Sequence, residues 1–80
     1  MDKTEIIDKV NAFLAEDLEI DAEKLHPEAR IREDLGIDSL DLVDIVVIVD
    51  KTFGFKLKSD EMRNVLTLGQ FYDHIASKMA

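Results

Sequence analysis

The first apolar residues of the chain, Ile6, Ile7, Val10, Phe13, Leu14 and Leu18, recur at spacings of three and four. That is the period of an amphipathic helix, and it predicts one from about residue 3 to 17. Asp2 followed three residues later by Glu5 resembles a capping box with Asp at the N-cap, and Glu5 to Lys9 is an i,i+4 pair in the favourable order. From Glu19 to Asp38 the period is lost, and the stretch holds Pro27 and Gly36 with scattered apolar residues at Ile20, Leu25, Ile31 and Leu35. A structureless connection of this length is uncommon inside a compact domain and is usually functional, so the expectation is a long ordered loop packed against the helices.

The run Ile45-Val46-Val47-Ile48-Val49 would suit a buried strand by composition. Stepping about 100° per residue from Ser39 to Phe53 instead groups Leu42, Ile45, Val46, Val49 and Phe53 on one arc and sets Asp41, Asp44 and Lys51 opposite. The alternation of a strand cannot produce that division, so the segment is read as a helix. Its β-branched residues cost ~2 kcal/mol over the run relative to Ala, which burial has to offset. Gly54 is the expected stop, and Ser59 with Asp60 and Glu61 reads as the N-cap and first turn of a short helix through about Val65. Thr67-Leu68-Gly69-Gln70 matches a capping box, after which Leu68, Phe71, Tyr72, Ile75 and Met79 continue at helical spacing. The expected fold is all-α, a small four-helix bundle of three longer helices and one short one. A long loop separates the first two, and residues 1–80 form a single domain.

With 80 residues the chain supports one modest core, since a domain near this size buries only about 60% of its unfolded surface. Apolar residues at 46% and charged residues at 35% suit a folded globule and not a disordered tail. A formal net charge of -8 argues against a nucleic-acid ligand, because phosphate backbones are held by clustered Lys and Arg and the sequence shows no such run. Basic protein surfaces are the natural partners. The absence of Cys excludes a disulfide framework and a Cys-ligated metal, so any reactive thiol must come from outside the chain. The N-terminus opens on charges, and no apolar stretch approaches the roughly 18 residues that span a bilayer. A soluble, cytoplasmic monomer without membrane insertion is expected.

Ser39 stands where the loop becomes the second helix, so its backbone N–H belongs to an unsatisfied helix terminus, a position that favours a phosphate group. Gly36 supplies the backbone freedom for a tight turn into the helix, and Asp38 is placed to cap through the Asp41 amide. Asp-Ser-Leu alone is weak, and an ordinary N-terminal helix serine would look the same. His26 and His74 lie far from Ser39 in sequence and read as ordinary loop or surface residues, with no Ser-His-Asp constellation in evidence.

Asp34-Leu35-Gly36-Ile37-Asp38-Ser39-Leu40-Asp41 matches the D-L-G-x-D-S-L-D motif of acyl carrier proteins, and the octet is far more specific than its central tripeptide. The order of helices around it is similar to that family along the whole chain. The resemblance implies that Ser39 accepts 4'-phosphopantetheine from coenzyme A in a reaction run by a separate phosphopantetheinyl transferase, and that the chain is no enzyme. The arm would supply the missing thiol and hold acyl groups as thioesters for acyltransferases, ketosynthases or other carrier-dependent enzymes with basic surfaces. Asp38 and Leu40 flank the attachment point. Glu33, Asp34, Asp38, Asp41, Asp44 and Asp50 run from the loop into the helix without an intervening Lys or Arg, a pattern that a solvated face shares. Around Ser39 it suits steering of basic partners, with Asp38, Leu40, Asp41, Asp44, Val47, Ile48 and Lys51 as the recognition face. The same resemblance implies an acyl cleft lined by Ile45, Val46, Val49, Leu57, Met62, Val65 and Phe71, which a plain core would equally use.

The chain departs from the family pattern at four of these positions. Ile48 falls inside the polar arc, and Lys51 puts a positive charge where an acid is usual. Together they suggest a dedicated partner, although Ile48 also fits a scattered exposed aliphatic. Met62 and Phe71 stand where smaller residues are often found, which predicts a reduced or reshaped cleft. Competing functions are an acidic helical interaction adaptor without a prosthetic group and an aminoacyl carrier; a calcium-binding role is weaker because no EF-hand loop is present.

Overall fold

The computed structural model of the chain describes residues 2–79, the side chain of Ser59 apart. Three α-helices form the frame: α1 (Lys3–Glu16), α2 (Ser39–Phe53) and α3 (Leu68–Met79). Two short 3-10 turns, Ala22–Lys24 and Ser59–Asn64, interrupt the connections, and no strand occurs among the described residues. The expected short fourth helix is therefore the second 3-10 turn, with Lys58 and not Ser59 at its N-cap. Its bonds span three residues, Glu61 N–H to Lys58 O at 3.0 Å and Val65 N–H to Met62 O at 3.1 Å. Six residues bounded by extended backbone leave little room for α-type bonds, so the tighter turn forms.

Local chemistry sets the helix limits. Asp2 caps α1 by accepting the Glu5 amide at 2.9 Å. Glu5 and Lys9 form no ion pair among the described residues; an α1 ion pair runs instead from Lys3 to Asp73 on α3. Gly54 ends α2 with φ 79°, a left-handed conformation that a residue without Cβ adopts at little cost. At α3 the capping box closes as expected: the Gln70 amide donates to Thr67 Oγ1 at 3.2 Å and the Thr67 amide to Gln70 Oε1 at 3.3 Å.

The core lies where the three helices meet. α1 packs on α3, and α2 packs against the second 3-10 turn. Ile6, Val10 and Leu14 from α1 meet Ile45 and Val49 from α2 and Ile75 from α3, all essentially without exposure. Burying such side chains is worth about 1.5–3 kcal/mol each, which offsets the poor helix propensity of the α2 valines and isoleucines. The long loop contributes as well. Ala29, Ile31, Leu35 and Ile37 are buried, while Ile20 and Leu25 pack on the core edge. Ile31 N–H donates to Leu66 O at 3.0 Å and Leu68 N–H to Ala29 O at 2.9 Å, an antiparallel bridge that ties the loop to the start of α3. Tyr72 donates its hydroxyl to Asn11, joining α3 to α1.

Candidate functional site

Ser39 is the first residue of α2 and is exposed. Gly36, at φ 69°, makes the turn that delivers it, and Ile37 on the near side of the serine is buried, anchoring the approach. Asp38 Oδ1 accepts the Leu40 amide at 2.9 Å and the Asp41 amide at 3.1 Å. The cap expected from Asp38 to the Asp41 amide is present, and the Leu40 amide joins it. Two amides of the first turn already serve the Asp38 carboxylate, which takes the place an anion would fill. What remains is an outward serine hydroxyl without a hydrogen-bond partner among the described residues. A covalently attached phosphate group needs that hydroxyl and open space, and both are present, so the residues fit an attachment point better than a noncovalent anion site.

The outer face of α2 carries the residues singled out as a recognition surface. Leu40 is 79% exposed, Val43 57% and Val47 48%, forming an apolar stripe at i, i+3 and i+7 that begins next to Ser39. Val43 escaped the sequence reading; its spacing from Leu40 was the available signal. Asp44, Asp50 and Lys51 are exposed and Asp41 is half-buried. Ile48 is not an isolated exposed aliphatic. It is half-buried against the core edge and shares a surface groove with Asp17, Leu18, Val47 and Lys51, where the end of α1 approaches α2.

A cavity of about 400 Å³ opens between the long loop and the second 3-10 turn. Its apolar wall consists of Ile31, Ile37, Leu42, Met62, Val65 and Leu66. Of the residues expected to line a cleft, Met62 and Val65 do so. Ile45, Val49, Leu57 and Phe71 are buried in the core, and Val46 is half-buried on its edge. Arg30, Arg32, Glu33 and Arg63 supply the charged part of the lining. The Arg30 amide donates to Asp34 Oδ2 at 2.8 Å, and that bond, with the guanidinium of Arg30 beside it, holds the Asp34 carboxyl below the usual carboxylate range. The sequence shows no run of basic residues, yet the fold gathers every arginine of the chain at this one cavity.

A second charged group ties the 3-10 turn to α3. Glu61 accepts from Lys78 Nζ at 2.7 Å and from the Lys58 amide at 3.0 Å. Its carboxyl is pulled down to about 2, by the Lys78 ammonium first and the Lys58 N–H second. His74 lies 3.8 Å from the same carboxylate; it is half-buried and not the surface residue expected from sequence. His26 is exposed and sits 3.2 Å from Glu28. Neither histidine hydrogen-bonds Ser39. No group of His, Asp and Glu suited to hold a metal ion occurs among the described residues, and no helix among them is long and apolar enough to cross a membrane.

The family described as "Phosphopantetheine attachment site" matches residues 8–75 of the chain. The acyl carrier protein of Thermosynechococcus vestitus is 38% identical over 80 residues, covering 100% of this chain and 99% of that protein. The chain belongs to the acyl carrier protein family. The acyl carrier protein of Saccharopolyspora erythraea is 41% identical over 69 residues, 86% of this chain and 73% of its own, and that of Thermotoga maritima is 35% identical over 77 residues, 96% and 95% respectively. As an acyl carrier the chain is not an enzyme, and phosphopantetheine is its prosthetic group. That group supplies a terminal thiol; the carrier supplies the attachment point, a folded platform and a surface for the enzymes that act on its cargo.

Proposed function

We propose that Ser39 is the attachment residue and that the carrier presents acyl thioesters to enzymes of fatty-acid, polyketide or related lipid assembly. The observation that carries this is the outward Ser39 hydroxyl at the first position of α2, inside an octet that matches the family motif. In the attachment reaction, run by a separate transferase, the Ser39 oxygen attacks the β-phosphate of coenzyme A. The new Oγ–P bond forms as adenosine 3',5'-bisphosphate leaves, and the hydroxyl proton passes to a base of the transferase. Asp38 supports the reaction by holding the first turn in place, and Leu40 stands beside the serine as a contact for the incoming enzyme.

The partner face consists of Asp38, Leu40, Asp41, Asp44, Val47, Ile48 and Lys51. Its acidic members suit enzymes with basic surfaces, and its apolar members give the buried contacts that carry most binding energy at such interfaces. The carrier acts in the cytoplasm as a monomer, in keeping with its strong negative charge.

The test is the intact mass of the apo carrier before and after incubation with coenzyme A, magnesium and a broad-specificity phosphopantetheinyl transferase. A gain of one phosphopantetheinyl group, absent in Ser39→Ala, is expected. An unchanged mass, or a gain that survives Ser39→Ala, would remove Ser39 from the role.

A further inference from the structure

The carrier is strongly acidic, with a formal net charge of -8, and holds three arginines in all: Arg30, Arg32 and Arg63. All three line the cavity between the loop and the second 3-10 turn, where Glu33 is the one acid among the described lining residues. Arg30 is spoken for, since Glu33 and Asp34 both pair with it. Among the described residues Arg63 pairs only with Asp60, at 3.7 Å with both side chains more than four-fifths exposed, a geometry that contributes little. Arg32 forms no ion pair among the described residues. The cavity therefore joins an apolar wall to two guanidinium groups, Arg32 without an ion pair among the described residues and Arg63 in a long, exposed one, in a molecule whose net charge repels anions.

The cavity wall includes Ile37 and Leu42, two residues before and three residues after Ser39 in the chain, which places it within a short reach of the attachment residue along the backbone. At about 400 Å³ it falls in the range of small-molecule sites, about 300–1,000 Å³. An acyl group with a methyl end would cover the guanidinium groups and strip water from them without pairing them, which costs free energy. One that ends in a carboxylate would lay its methylenes on Leu42, Met62 and Val65 and offer the planar fork of an arginine its matching anion.

Resting on the assignment of Ser39 as attachment residue, we infer that this cavity receives carboxylate-ended acyl groups, with Arg32 and Arg63 pairing the distal carboxylate. An anion at the cavity has a second source, the phosphodiester of the arm itself, and the experiment separates the two.

The apo carrier, labelled with 15N, is loaded by a broad transferase from coenzyme A, hexanoyl-coenzyme A or adipoyl-coenzyme A; the two acyl chains match in length and differ at the end. Intact mass first reports loading. The Nε–Hε signals of Arg32 and Arg63 then report pairing, and cleavage of the thioester by hydroxylamine reports shelter. The adipoyl form is expected to shift both arginine signals and to be cleaved about 2- to 5-fold more slowly than the hexanoyl form, the range of a partly exposed ion pair. Added salt should narrow that difference, and the Arg32→Gln/Arg63→Gln double variant should abolish it while loading normally. Equal responses from hexanoyl and adipoyl forms overturn the inference and leave a purely apolar cleft. The full arginine shift in the carrier loaded from coenzyme A alone overturns it in favour of the phosphodiester. Absence of any mass gain overturns the Ser39 assignment as well, so the two failures are distinct.

Discussion

Asp38 and Asp41 cap one another across the first turn of α2: Asp38 Oδ1 accepts the Asp41 amide at 3.1 Å, and Asp41 Oδ2 accepts the Asp38 amide at 3.2 Å. Both carboxylates also sit at the positive end of the helix dipole. Asp38→Ala is expected to lower stability by about 1 kcal/mol, whereas Asp38→Asn, which keeps an accepting oxygen, should lose much less. Urea melts decide the matter through the midpoint at constant slope. Equal losses in the two variants would mean that the negative charge, and not the hydrogen bonds, matters there.

Glu61 is expected to make the carrier acid-sensitive in a definite window. Its carboxyl is lowered from 4.5 to about 2 in the folded chain. A folded value below the unfolded one means that the stabilisation is present above pH 4.5 and is lost as the pH falls through about 2. Glu61→Gln should begin with a lower melting temperature at neutral pH and then lose less of it across that window than the parent. Parallel melting curves for the two proteins would rule out Glu61 as the group responsible.

Gly36 has φ 69°, and a Cβ built there would touch nothing within 4 Å. Any penalty for Gly36→Ala thus comes from the backbone alone, about 1–2 kcal/mol for an ordinary residue in the left-handed region. Gly36→Asn should recover part of it, because Asn tolerates that conformation. If Ala proves neutral by calorimetry, the turn before Ser39 relaxes to another shape.

Ile45 and Ile48 share a helix and an amino-acid type but not an environment. Ile45→Ala, at a position 1% exposed, should cost about 2–5 kcal/mol through cavity formation. Ile48→Ala, at a half-buried position, should cost ~1 kcal/mol. With the fold retained, it should also reduce kcat/KM of the modifying transferase about 5-fold through lost contact on the docking face. A loss of stability matching that of Ile45→Ala would place Ile48 in the core and out of the interface.

The limits of α2 and the cap at Asp38 were legible in the sequence because their causes are local. A 3.6-residue period, an acid one residue before the helix and a glycine one residue after it act within a turn of the chain, whatever lies elsewhere. The same holds for the Thr67-Gln70 box and for Gly36. The motif around Ser39 was legible for a different reason, since it is contiguous.

Other features depend on parts of the chain that meet only after folding. Whether residues 59–64 wind as an α-helix or a 3-10 turn follows from how few residues lie between Leu57 and Val65, both fixed in the core. That Ile48 is half-covered follows from where the end of α1 comes to rest. The arginine cavity is the clearest case: Arg32 and Arg63 are remote in sequence and join one site because the Ala29–Leu68 and Ile31–Leu66 bonds draw the loop beside the end of the 3-10 turn. Sequence by itself determined the helices and the candidate serine through short-range hydrogen bonding and periodicity. The shape and charge of what surrounds that serine were decided by the tertiary structure, through packing between distant segments.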